Sequence, residues 1–126
     1  MIRESQTAVI ARNEIWQGTA ATEPYEAGWA TEALFFVRAL AFRTGSDDWS
    51  ASARLPPGKP SDQPAIRVQL SADGMRWIDE GTACELPRST DYDSFLRVRH
   101  FGNWLRIVAD LPDGLAMKAL VTIHLK

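Results

Sequence analysis

The sequence is poor in the side chains that most often carry chemistry. It has one cysteine, Cys84, and two histidines, His100 and His124, in 126 residues. A single cysteine closes no intramolecular disulfide and excludes a four-cysteine zinc centre. Between Ala83 and Glu85, in a strand-like stretch, its simplest role is that of a small buried hydrophobe. No run approaches the roughly 18 apolar residues that a membrane-spanning helix needs. Glu4, Gln6 and Arg12 break up the apolar core that a secretory leader would require, so a cytoplasmic protein without a membrane partner is expected. Neither charge is in excess: 14 Lys and Arg against 16 Asp and Glu leave a formal −2. The arginines are scattered without a run, and no stripe offers itself to successive phosphates. Nucleic acid is therefore not an expected partner.

Catalytic signatures are missing as well. There is no GxSxG elbow, phosphate-binding loop, dinucleotide fingerprint, HExxH or EF-hand spacing, so neither a cofactor nor a metal site is expected. Asp47-Asp48 reads as a solvated turn pair. Asp79-Glu80 lies in a strand, where neighbouring side chains face opposite sides. A non-enzyme is the favoured class.

What the sequence does hold is alternation. Hydrophobic residues make up 45% and charged residues 24%, a globular composition for one domain over residues 1–126. AIRVQL sets Ile66, Val68 and Leu70 on one side and Arg67 and Gln69 on the other, the period of a half-buried strand. The tail LAMKALVTIHLK repeats the pattern with Leu115, Met117, Ala119, Val121, Ile123 and Leu125. SFLRVRHF and WLRIVADL alternate too, separated by Gly102-Asn103. QTAVIAR is a further short strand. The apolar run WATEALFFVRALAF at 29–42 favours a central strand through its two phenylalanines and Val37, with room for a bulge. Residues 43–64 carry four prolines among small polar residues and read as a long loop. Trp49 and Leu55 would anchor it and Pro56-Pro57 would stiffen it. Short turns at Asp73-Gly74 and Pro112-Asp113-Gly114 join antiparallel neighbours and leave no space for crossover helices. The expected fold is all-β, a single antiparallel β-sandwich of jelly-roll connectivity, with a flattened barrel as the alternative.

IRVQLSADGMRWIDEG resembles the strand–turn–strand signature of discoidin-like, or galactose-binding-like, jelly-roll domains, through Ser71, Asp73, Gly74 and Trp77. Leu105, Arg106 and Ile107 are similar to the late arginine-containing strand of that family, and VTIHLK to its last strand. The resemblance covers roughly residues 65–126. It implies a non-catalytic module that binds a carbohydrate or protein partner through loops at one end, with those four motif residues serving structure.

Candidate ligand-binding residues follow from the aromatic and arginine content. Trp49 stands in the polar loop SDDWSAS, where with Tyr25 and Trp29 it would form a platform or a subunit interface. Arg97 and Arg99 share one side of their strand. A hairpin through the Phe101-Gly102-Asn103 turn would bring Arg106 beside them, giving planar donors for a carboxylate or sugar hydroxyls. His100, at a strand end, completes the set. A homo-oligomeric structural subunit and a small jelly-roll enzyme using His100 with a carboxylate are the alternatives to a binding module.

Overall fold

The computed structural model describes residues 5–52 and 65–126, and these form an antiparallel sandwich of two sheets with a jelly-roll-like arrangement. The strands are β1 (Gln6–Gln17), β2 (Thr19–Ala21), β3 (Tyr25–Glu26), β4 (Glu32–Thr44), β5 (Ile66–Ser71), β6 (Ile78–Cys84), β7 (Asp93–Arg99), β8 (Trp104–Asp110) and β9 (Leu115–Leu125). One sheet has the order β1-β9-β4-β7. The other has the order β2-β8-β5-β6, with β3 also paired to β8. Leu55 and Pro56-Pro57 lie outside the described residues. Of the anticipated loop, Arg43 and Thr44 end β4, and Ser50 folds back to bond with Phe42.

The two apolar rows foreseen from alternation meet in the middle of the sandwich. Ile66 and Val68 of β5 are sealed from solvent, as are Met117, Ala119, Val121, Ile123 and Leu125 of β9. Packed with them are Phe35, Val37 and Leu96 from the first sheet and Leu105 and Ile107 from the second. Each of the Val, Leu, Ile, Met and Phe side chains among these stabilises the fold by about 1.5–3 kcal/mol through removal from water.

β4 is a strand throughout and is bulged between Ala39 and Ala41 against β9. The physical reason is legible in its own residues. Phe35, Val37 and Ala39 point inward, and the next large inward group is Phe42, an interval of three. One extra residue absorbs the mismatch. β1 likewise runs further than QTAVIAR, because two irregularities and a positive φ at Asn13 keep it in step with β9 as far as Gln17.

The turn after β5 takes in Met75 and Arg76, and β6 runs from Ile78 through Gly81 to Cys84. One local expectation is corrected. Phe101-Gly102-Asn103 is not a hairpin turn. β7 pairs with β4 in the four-stranded sheet and β8 with β5 in the five-stranded one, so this turn carries the chain from one sheet to the other. Phe101 itself is buried between them.

Placing a charge in the shared row tests this packing. Val68→Asp leaves an unpaired carboxylate between the sheets and should cost at least about 3 kcal/mol, read from urea denaturation. A loss of under about 1 kcal/mol would mean that the β5 row does not face the core.

Candidate functional site

The Ser71–Trp77 turn is built from its own side chains. The Ser71 hydroxyl oxygen accepts the backbone N–H of Gly74 at 2.8 Å and of Asp73 at 3.3 Å, and Ser71 is buried. Asp73 Oδ1 accepts the N–H of Met75 at 2.8 Å and of Arg76 at 3.0 Å, which holds its carboxyl below the usual range. Gly74 has φ +80°, a backbone conformation in which a side chain would be strained, and it packs against the indole of Trp104. The motif residues thus do structural work, and its product is the placement of two indoles.

Ser71 is the register partner of Trp104, and Trp77 stands one residue before the Ile78–Leu70 pair. Both tryptophans therefore belong to the Ser71 row on the outer face of the five-stranded sheet. The next outward row is Asp79, Gln69 and Arg106. The Arg106 guanidinium lies 4.3 Å from the centre of the Trp77 ring, and its Nε–H donates to Gln69 Oε1 at 2.8 Å. Gln69 in turn donates to Asp79 at 2.9 Å. Arg106 is half-buried, which pulls its pKa down, and among the described residues it has no carboxylate partner.

Its neighbour Arg67 is differently placed. Arg67 pairs with Asp110 and, at 3.3 Å, with Asp79. Thr19 also donates to Asp110 at 2.7 Å. Two carboxylates on this face are thus committed to Arg67, while Arg106 is fixed by a ring face and a neutral amide. The terminal nitrogens of a guanidinium held in this way form a planar donor fork beside two indoles.

The other candidates are dispersed. Trp49 is half-buried at the far end of β4, with the Arg43 guanidinium 4.6 Å and Lys118 Nζ 4.8 Å from its ring centre. Trp29 precedes the near end of β4, about 30 Å away along the strand, so the platform of Trp49 with Trp29 and Tyr25 does not assemble. The Tyr25 hydroxyl instead accepts from Gln6 at 2.7 Å. Arg97 and Arg99 are exposed on β7, on the outer face of the four-stranded sheet, with Arg99 3.3 Å from Glu32. Arg106 is on the opposite side of the molecule, because β7 and β8 are in different sheets. His100 is exposed in the crossing turn with φ 55°, and its backbone N–H donates to Thr31. His124 lies edge-on to Phe36 at 5.2 Å. Among the described residues no three of His, Cys, Asp and Glu are grouped to hold a metal, and no helix is long and apolar enough to cross a membrane.

Sequence reasoning singled out Arg106 but missed Trp104 and Gln69 as its neighbours. The available signal was the two-residue spacing of Trp104 and Arg106, matched by that of Arg67 and Gln69. Nothing local said that β5 and β8 would lie side by side. Cys84, at the end of β6, borders an open groove of about 700 Å³ between the β6 and β7 edges, also lined by Leu86, Pro87, Tyr92 and Phe95. No family model, curated protein or solved structure matches the chain.

Two measurements probe these environments. Asp110 is held below the usual carboxylate range, first by Arg67 and then by Thr19. Its contribution to stability is therefore complete above the unfolded carboxyl's pKa of about 4 and is lost as pH falls through the lower folded value. Urea midpoints measured between about pH 6 and pH 2 should show this loss, and Asp110→Asn should lack that part of it. A variant with an unchanged acid limb would mean that the pair is silent. The Cys84 thiol is pushed up to about 11 by burial; a hydrogen bond with Ser94 opposes this, and Glu85 adds to it. Iodoacetamide at about pH 8 should alkylate it at least about tenfold more slowly than free cysteine. Labelling at the free-thiol rate would contradict that environment.

Proposed function

We propose that the chain is a non-catalytic binding module of the galactose-binding-like kind, with a carbohydrate ligand held on the outer face of the five-stranded sheet. The observation that carries this reading is the state of Arg106. Its guanidinium is stacked on Trp77, oriented by Gln69 and half-buried, and it lacks a carboxylate partner among the described residues. Sugars present apolar faces of C–H groups and pairs of vicinal hydroxyls. Indole rings suit the former, and a planar fork of N–H donors suits the latter. Trp77 stacks on Arg106, Trp104 stands in the adjoining row, and Gln69 and Asp79 continue the row of Arg106 with amide and carboxylate groups.

The geometry also suits recognition without chemistry. The groups on this face are already paired, stacked or buried, and pre-ordered polar groups lower the entropy cost of binding. The resemblance of residues 65–126 to galactose-binding-like domains supports a binding role, although it implies loops at one end and the proposed face is the outer surface of a sheet. The Ser71–Trp77 turn is the scaffold, and Trp104 and Arg106 on β8 complete the face.

The test is a glycan screen, followed by calorimetry on the best oligosaccharide with Trp77→Ala, Arg106→Ala and Arg106→Lys. Loss of a charged hydrogen bond predicts at least about tenfold weaker binding for both Arg106 variants, since lysine keeps the charge but not the fork. Trp77→Ala should weaken binding comparably. Melting temperatures are measured alongside to separate affinity from folding. Undiminished binding by folded Arg106→Ala would overturn this assignment.

A further inference from the structure

The outer face of the four-stranded sheet is unlike the one just described. Across its middle runs a row of register partners, Val9, Thr122, Phe36 and Phe95. Phe95 is 57% and Val9 42% exposed, and Leu34 and Leu120 extend the apolar area on neighbouring outward rows. Among the described residues, Arg38, Arg97, Arg99 and Lys118 stand around it, with Lys126 just beyond β9, against the acids Glu32 and Asp93. Both of those acids are already engaged, Glu32 by Arg99 and Asp93 by Arg38 at 2.8 Å. Among the described residues, Arg97, Lys118 and Lys126 have no carboxylate partner. A chain with a formal charge of −2 thus keeps one basic face.

This face ends at an open edge. β7 is the last strand of its sheet, and among the described residues no strand pairs with its other side. Near the start of β7 the chain after β6 comes close: the Ser94 hydroxyl donates to the Glu85 carbonyl at 2.8 Å, and Cys84 also bonds with Ser94. The groove lined by Leu86, Pro87, Tyr92 and Phe95 meets this edge at the start of β7, from Asp93 to Phe95. The acids at this groove, Asp93 and Glu85, already hold Arg38 and Arg88.

From these features we propose that β7 is the docking edge for an extended acidic segment of a partner protein, added as a further strand. A strand laid there alternates its side chains. Those on the outward side would meet Phe95, Arg97 and Arg99, which select one apolar residue followed by acidic residues at two-residue spacing. Where the segment passes Asp93 to Phe95, those on the other side would enter the apolar groove. A second copy of this chain is disfavoured as occupant, because a two-fold packing would set Arg97 and Arg99 against their own equivalents. Single-stranded nucleic acid fits less well, because much of the apolar surface is aliphatic and stacks no base. The inference is independent of the saccharide face, which lies on the opposite sheet.

The experiment uses the full chain and fluorescein-labelled ten-residue peptides, one alternating Glu and Val and one alternating Lys and Val, followed by anisotropy. The acidic peptide should bind and the basic one should not, and binding should weaken several-fold between about 50 and about 300 mM salt. Arg97→Glu should weaken it at least about tenfold, and Phe95→Ala should weaken it at any salt. Both positions are exposed, and a circular dichroism melt checks that the variants fold. Wild-type affinity in Arg97→Glu, equal binding of both peptides, or failure of the acidic peptide to bind would each overturn the proposal. So would tighter binding of a ten-nucleotide oligothymidylate, or light scattering showing a dimer that Phe95→Ala abolishes.

Discussion

β9 is the ruler of this molecule. It runs from Leu115 to Leu125 without a break in alternation, and it lies between β1 and β4. Its inward row is almost wholly excluded from water, so its register cannot slip by one residue without exposing all of that row. Both neighbours bend to match it. β4 takes up one extra residue, and β1 shows two irregularities and a left-handed asparagine. The regular strand dictates and the irregular ones accommodate. From that, the positions of Phe36, Arg38 and Phe95 on one outer face follow.

The legible part of the sequence is the part governed by this local period. Ile66, Val68 and the β9 row announce their burial directly, and the Asp73-Gly74 turn announces an antiparallel connection. The length of the 29–42 run leaves room for a bulge, but its place between Ala39 and Ala41 is set by the pairing with β9. What local reasoning cannot deliver is which strands lie side by side. Phe101-Gly102-Asn103 has the composition of a tight turn, yet it joins two sheets, because buried Phe101 faces the shared core. That one choice separates Arg106 from Arg97 and Arg99 and sends it to Trp77 and Gln69. Trp49 failed as a companion of Trp29 for a similar reason: the thirteen-residue strand β4 lies between them.

The two outer faces divide the arginines by how they are satisfied. On one, Arg67 has two carboxylates and Arg106 has an indole and an amide. On the other, Arg38 and Arg99 each have one carboxylate and Arg97 has none among the described residues. Stacking and a neutral acceptor leave a guanidinium oriented without cancelling its charge, and the cost of partial burial falls on Arg106 itself. The same residue type is thus kept rigid on one side and loosely solvated on the other. Rigid placement suits a small ligand with fixed hydroxyl geometry, and loose placement suits a polymer that must settle along an edge.

The extra residue in β4 also bears on how the length of such a chain can vary. Leu40 stands at the register shift between the Ala39–Ala119 and Ala41–Lys118 pairs. Removing it would restore uniform alternation while leaving Phe42 inward and Arg43 outward. Removing Phe36 instead would turn round every side chain on one side of the gap. Insertions and deletions in this strand are therefore tolerable at one position and ruinous a few residues away. A sequence comparison that placed its gap at Phe36 would exchange the inside of the protein for its outside.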